Sequence, residues 1–157
     1  MRAVLLKALI ALVALVVLAA GVVTWLNLRD EPDLDEAASP PMAPELVKRG
    51  EYLARAGNCE ACHTARGGAR FAGGVGIETP FGIVFGTNLT PDTATGLGRW
   101  SAAQFWRAMH NGKSKDGSFL YPAFPYPNYT KVTRADSDAI YAYLRTVAPV
   151  KQARKEH

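Results

Sequence analysis

The chain has 157 residues and a formal net charge of +4, a length that fits one ordinary domain. The charge is uneven, because residues 1–44 hold three basic and five acidic side chains and the remainder holds fifteen and nine. The basic residues are scattered and form no nucleic-acid-binding motif, so nucleic acid is excluded as the expected partner. The positive charge either steers the chain toward an acidic partner protein or belongs to an ordinary solvated surface.

The N-terminal region is predicted to enter a membrane. Residues 8–26 carry no charge and are numerous enough to cross a bilayer as a helix. Arg2 and Lys7 precede this run and acidic residues follow it, which predicts a cytoplasmic N-terminus with everything after the run outside. The small residues at 18–21 would also fit a cleaved signal peptide, but the length of the run and Trp25 at its end favour a retained anchor.

Composition then divides the chain into four predicted parts. Residues 1–28 are the membrane anchor or an uncleaved signal, and residues 29–44 are an acidic, proline-rich linker that buries too little apolar surface to fold. Residues 45–150 form the folded domain, and residues 151–157 form a charged tail. The expected location is the inner, cytoplasmic membrane with a single pass and the domain in the periplasm.

The folded part is predicted to be all-α, since no convincing strand pattern is present. A first helix covers 45–56 and contains Gly50, whose cost of about 1 kcal/mol relative to alanine in a helix suggests a close approach by the last helix. A second helix opens with the capping box at Ser101 and ends at Asn111. The last helix begins behind Thr133 and is expected to reach Val147, before Pro149.

The most informative motif is Cys59-Glu60-Ala61-Cys62-His63, because C-x-x-C-H is the attachment site of a c-type haem. Two thiols one helical turn apart can form thioether bonds to one porphyrin, and His63 is then placed to bind its iron. The two cysteines are the only ones in the sequence. A zinc site or a thioredoxin-like pair is the weaker interpretation, since zinc would need His110 or His157 as a further ligand.

The wider pattern resembles a class I cytochrome c, and more closely the haem domains of membrane-bound dehydrogenase cytochrome subunits, such as those of alcohol, gluconate and aldehyde dehydrogenases. The stretches that carry the resemblance are 49–53, 59–63, 79–82, 87–92, 95–100, 115–117, 121–126 and 141–144. The resemblance implies that the first and last helices cross and that one covalent haem c lies in a cleft. It also implies a non-enzymatic role, passing electrons from a dehydrogenase to a quinone or terminal oxidase.

The second axial ligand of the iron is the uncertain part. Related domains often place a methionine within a Pro-Ala-Met-Pro-Tyr turn, where this chain has Phe124. Met109 and His110 are the candidates to replace it, and an open position is the third possibility. An open position would suit an alternative function, a haem enzyme or gas-binding sensor. The other expected pocket residues are the packing groups and the candidate propionate partners, namely Trp100, Tyr121, Pro122, Phe124, Tyr126, Asn88 and Arg99.

Overall fold

The computed structural model describes residues 2–28 and 40–156. It divides into an N-terminal unit and a C-terminal unit, which are described separately. The N-terminal unit is one helix, α1 (Arg2–Leu28). Its residues 2–26 are long and apolar enough to cross a membrane, and none of that stretch is buried against protein. The predicted linker falls mostly at positions 29–39, outside the described residues.

The C-terminal unit contains four helices, two short strands and two single 3-10 turns among its described residues. The order is α2 (Pro44–Ala56), α3 (Cys59–His63), β1 (Gly76–Thr79), β2 (Gly82–Phe85), a 3-10 turn at Leu97–Arg99, α4 (Ala102–Asn111), a 3-10 turn at Tyr126–Asn128, and α5 (Arg134–Leu144). The core lies between α2, α4 and α5, and its buried members are Ala54, Phe71, Leu97, Ala102, Phe105, Met109, Ile140, Tyr141, Tyr143 and Leu144.

The crossing of the first and last helices of this unit is confirmed at Gly50. A Cβ added there would lie 1.9 Å from the carbonyl oxygen of Ala139 and 2.8 Å from the Cβ of Tyr143. Only a residue without a side chain lets α2 and α5 approach this closely. At the edge of the crossing, Arg49 donates from Nε to the Asp136 carboxylate at 2.8 Å. The two helices are therefore the frame on which the remaining elements are built.

The helix caps behave as the sequence predicts. The Ser101 hydroxyl accepts from the backbone nitrogen of Gln104 while the Gln104 side chain accepts from the backbone of Ser101, so the capping box is complete. Gly112 ends α4 in the left-handed conformation, and Thr133 caps α5 by accepting from the backbone nitrogen of Asp136. However, α5 ends at Leu144 rather than at Val147.

The early end of α5 has a local cause. The backbone nitrogen of Thr146 bonds the carbonyl of Tyr143 at 2.8 Å, and its hydroxyl donates to the same oxygen at 2.7 Å. These bonds tighten the last turn into an i to i+3 pattern. Pro149 then disfavours helical geometry in the residue before it, so the chain leaves the helix earlier than its apolar pattern suggests.

The prediction that the domain has no strands is wrong. β1 and β2 pair as an antiparallel hairpin, with Ile77 opposite Val84 and Glu78 opposite Ile83. The two residues between the strands are Pro80 and Phe81. Each strand is only four residues long, so its alternation is too short to stand out in the sequence. The domain is therefore helix-rich with one small hairpin rather than all-α.

The segment after α5 is anchored to the domain. Asn88 donates from Nδ2 to the carbonyl of Val150 at 2.7 Å, and the Val150 nitrogen donates to the Thr90 hydroxyl at 3.1 Å. The Gln152 nitrogen donates to the Thr95 hydroxyl at 3.0 Å. The predicted charged tail therefore starts from a fixed position over its first residues.

Candidate functional site

The motif helix α3 presents both thiols from one short element. Cys59 and Cys62 are free and half-buried, at the first and fourth positions of the helix. Between them, Glu60 accepts from the Nε of Arg70 at 2.8 Å, which ties α3 to the following loop. Burial raises the pKa of the Cys59 thiol to about 11, so this thiol is protonated at neutral pH.

His63 has the geometry of a metal-ligating imidazole. Its Nδ1 lies 2.7 Å from the carbonyl oxygen of Thr87. Because a carbonyl can only accept, Nδ1 carries the proton and Nε2 keeps its lone pair free. Burial lowers the pKa of His63, which favours the neutral form that binds metals. When one nitrogen of a histidine ring binds a metal, a hydrogen bond from the other nitrogen to a carbonyl fixes the tautomer and orientation of the ring.

Backbone contacts hold the loops against the motif. A Cβ on Gly86 would lie 1.8 Å from the carbonyl oxygen of Cys62, so the chain leaving β2 presses directly on α3. The Gly73 nitrogen donates to the carbonyl of His63 at 2.8 Å from the other side. Gly73 has a φ of +82°, a conformation that favours glycine. Two glycines outside the C-x-x-C-H motif, Gly73 and Gly86, therefore hold the motif helix in place.

Tyr129 is a site residue that the sequence did not reveal. Its hydroxyl donates to the carbonyl of Gly57 at 2.9 Å. A Cβ added to Gly57 would lie 3.6 Å from the Tyr129 ring and 3.7 Å from the Cys59 sulfur. Burial raises the pKa of Tyr129. The ring of Phe124 stacks on Tyr129 with centroids 5.4 Å apart. The loop that carries Phe124 is thus linked to the N-terminal side of the motif helix.

Two thiols on one helical turn and an adjacent imidazole with a free Nε2 fit a covalently attached haem. In the described parts of the chain no cluster of three or more His, Cys, Asp or Glu side chains could hold a bare metal ion, so the zinc alternative lacks ligands there. The family model for cytochrome c matches residues 47–148. This chain belongs to the cytochrome c family.

Curated relatives of this cytochrome include subunits of several dehydrogenases. It is 54% identical over 112 residues to the gluconate 2-dehydrogenase cytochrome c subunit of Pantoea cypripedii, covering 71% of this chain and 25% of that protein. It is 45% identical over 130 residues to the alcohol dehydrogenase (quinone) cytochrome c subunit of Gluconacetobacter polyoxogenes, covering 82% and 26%. It is 41% identical over 126 residues to the fructose dehydrogenase cytochrome subunit of Gluconobacter japonicus, covering 79% and 26%. The cytochrome therefore spans about a quarter of the length of these relatives.

The structure places Met109 in the core of the cytochrome. The side chain is buried among residues of α5, and its sulfur accepts from the hydroxyl of Ser137 at 3.9 Å. A thioether sulfur has two lone pairs and can accept this hydrogen bond while binding a metal, so the role of Met109 as second axial ligand stays a prediction. His110, the next residue, stacks on Trp106 with ring centroids 4.3 Å apart.

The predicted propionate partners lie in different surroundings. Asn88 is buried and fully engaged within the protein, since its Nδ2 donates to Thr95 and Val150 while its Oδ1 accepts from Thr90. In the structure these bonds anchor the chain end, and the role of Asn88 as a candidate propionate partner stays a prediction. Arg99 is exposed and lines an open cleft with the side chains of Lys115 and Arg145.

The predicted packing residues divide into two groups. Trp100 packs against the core and its carbonyl accepts from the Tyr141 hydroxyl at 2.5 Å. Tyr121 is half-buried, with its hydroxyl 3.5 Å from that of Thr79 on the hairpin. Pro122 is exposed. Tyr126 opens the 3-10 turn between Phe124 and Tyr129, so the loop from Tyr121 onward connects the hairpin with the motif helix.

Proposed function

We propose that this chain is a membrane-anchored c-type cytochrome that carries one haem and transfers electrons for a dehydrogenase. Cys59 and Cys62 would hold the haem by thioether bonds, and His63 would bind its iron through Nε2. The observation that carries the proposal is the His63 to Thr87 hydrogen bond, because it presents the correct ring nitrogen next to two free thiols. The proposed cofactor is haem c, one per C-x-x-C-H motif.

The residues of the chain explain how such a site would be suited to electron transfer. Haem, when bound, supplies a one-electron redox centre. The Thr87 carbonyl would hold the His63 ring in one orientation, and the glycine contacts at Gly73 and Gly86 would prevent α3 from shifting. Axial ligands, hydrogen bonds to them and burial are the means by which a protein sets a haem potential.

The proposed partner is a dehydrogenase subunit, which the names of the gluconate, alcohol and fructose dehydrogenase relatives support. The proposed acceptor is a quinone or a terminal oxidase. The excess of basic residues after position 44 supports an approach to an acidic partner surface. The cytochrome itself would have no catalytic residues.

The proposed location is the inner membrane, with the haem domain in the periplasm. The apolar helix α1 supports a single-pass anchor by its length and composition. The basic residues before it and the acidic residues after it support a cytoplasmic N-terminus.

The test is to isolate the tagged full-length chain in detergent from its native membranes and to identify the proteins that accompany it. The proposal predicts a dehydrogenase subunit in stoichiometric amount and reduction of the haem bands on addition of that dehydrogenase's substrate. The matched control is the Cys59→Ser/Cys62→Ser variant, which should lack the haem bands. Isolation of the haem-loaded chain without any dehydrogenase, together with a haem that no dehydrogenase substrate reduces, would contradict the proposal.

The alternative function is a haem enzyme or gas-binding sensor with an open axial position. The observation that favours it is Phe124, which has no donor atom where related domains often have methionine. This alternative predicts that the ferrous protein binds carbon monoxide readily. Slow or absent binding by the native protein would leave electron transfer as the better account.

A further inference from the structure

The orientation of the His63 ring depends on one backbone carbonyl. The Nδ1 of His63 donates to the carbonyl oxygen of Thr87 at 2.7 Å. That oxygen belongs to the planar peptide unit that joins Thr87 to Asn88, and the atoms of a peptide unit move together. The contacts that hold Asn88 therefore also set the direction of the Thr87 carbonyl.

Close backbone packing limits this peptide unit near the motif helix. A Cβ added to Gly73 would lie 2.7 Å from the Thr87 oxygen, and one added to Gly86 would lie 1.8 Å from the Cys62 oxygen. Such steric contacts resist compression, but they do not resist separation. Attractive contacts are therefore needed to keep the Thr87 carbonyl at hydrogen-bonding distance from His63.

The attractive contacts come from residues 150–155, which follow α5 and are called the strap below. The Nδ2 of Asn88 donates to the carbonyl of Val150 at 2.7 Å. The Val150 nitrogen donates to the Thr90 hydroxyl at 3.1 Å, and this hydroxyl donates to the Oδ1 of Asn88 at 2.7 Å. Val150 thus closes a ring of hydrogen bonds around the Asn88 side chain, which is only 5% exposed.

The strap makes two further contacts with the segment that contains Thr87. The Gln152 nitrogen donates to the Thr95 hydroxyl at 3.0 Å, and this hydroxyl also accepts from the Nδ2 of Asn88 at 3.0 Å. The Nζ of Lys155 lies 5.2 Å from the ring centroid of Phe85. The strap therefore contacts residues on both sides of Thr87 in the chain.

We propose that the strap positions the axial ligand of the haem: it holds Asn88, the Thr87–Asn88 peptide unit holds the carbonyl, and the carbonyl holds the His63 ring. The proposal rests on the proposed covalent haem. A hydrogen bond at Nδ1 raises the basicity of a ligand imidazole, and a more basic ligand favours the ferric state. The strap therefore keeps the reduction potential of the haem lower than it would be with a weaker bond between His63 and Thr87.

The first test uses the native full-length chain in detergent. A pyridine haemochrome spectrum first establishes that haem is covalently attached, which separates failure of this proposal from failure of the proposed function. Hydrogen exchange is then followed by nuclear magnetic resonance in the diamagnetic ferrous carbon monoxide complex. The Nδ1 proton of His63 and the backbone amides of Val150 and Gln152 should have the same protection factor within about tenfold, because one local opening exposes all three.

The second test removes the two backbone donors of the strap. The variant is Val150→Pro/Gln152→Pro, since proline has no N–H. Val150→Ala/Gln152→Ala keeps both donors and is the matched control. Ala153→Pro is a further control, because the nitrogen of this exposed residue has no hydrogen-bond partner in the described part of the chain. None of these substitutions changes the charge, so a shift of the potential cannot come from an added or lost charge.

The proline pair should raise the reduction potential and speed exchange of the His63 Nδ1 proton at least about tenfold, whereas both controls should match the native protein. The sign is informative, because a domain that is merely loosened admits water to the haem, favours the charged ferric state and lowers the potential. An unchanged or lowered potential in the proline pair would overturn the proposal. Native strap amides that exchange at least about a hundredfold faster than the Nδ1 proton would also overturn it, even if the proline pair does not fold.

Discussion

Replacing Gly50 by alanine tests the helix crossing that supports the whole haem domain. The new Cβ would lie 1.9 Å from the Ala139 oxygen and 2.5 Å from the Ala139 carbonyl carbon, both backbone atoms that no rotamer change can move. Overpacking costs about 1–3 kcal/mol, and a clash with backbone belongs at the upper end. Alanine regains about 1 kcal/mol of helix propensity over glycine. The net loss should be about 2 kcal/mol, which lowers the Tm of a domain of this size by about 8–16 °C.

The assay is thermal unfolding of the haem-loaded full-length chain, followed by circular dichroism at the helix and haem bands. The matched control is Gly68→Ala, whose Cβ would be 3.1 Å from the Ala65 oxygen in a loop. That change should alter stability by less than about 1 kcal/mol. An unchanged or higher Tm for Gly50→Ala would refute the account of the crossing.

Three further predictions concern other parts of the chain. Arg49→Ala should cost less than about 1 kcal/mol at neutral pH, because exposed ion pairs contribute little. The hydrogen bond from Arg49 lowers the pKa of Asp136. The difference in unfolding free energy between the variant and the native protein, measured by urea unfolding, should therefore shrink as pH falls below the ordinary aspartate pKa. A difference that grows as pH falls would contradict this reasoning. Asn88→Ala should lower the free energy of unfolding by about 1–3 kcal/mol, as expected for buried groups left unpaired. It should also speed tryptic cleavage within 151–156 and leave the haem spectrum unchanged. A changed haem spectrum would instead favour the propionate role of Asn88. Native chain should remain in alkali-washed membranes with α1 attached, and N-terminal sequences beginning near position 21 would show cleavage.

Features that depend on a few neighbouring residues could be predicted from the sequence. The capping box at Ser101 and the cap at Thr133 are local, because each involves a backbone nitrogen three residues away. Gly50 was informative for a steric reason, since glycine inside a helix is unfavourable unless something lies against it. The C-x-x-C-H motif likewise contains its own ligands within five residues.

Features that join distant parts of the chain could not be predicted in the same way. Asn88 lies 62 positions from Val150, and Tyr129 lies 72 positions from Gly57. Nothing in their local sequence distinguishes a residue that anchors a chain end from one that faces a cofactor. The acceptor for the His63 ring is a backbone carbonyl, which has no signature in the sequence at all. The hairpin was missed because strands of four residues give too short a pattern.

The most direct test of the central claim is the intact mass of the purified chain under denaturing conditions, combined with acid-acetone extraction. The account predicts a mass increase of one haem that survives extraction, and its complete loss in the Cys59→Ser/Cys62→Ser variant. A chain at its unmodified mass, with all haem recovered in the acetone, would contradict covalent attachment and with it the proposed cytochrome function.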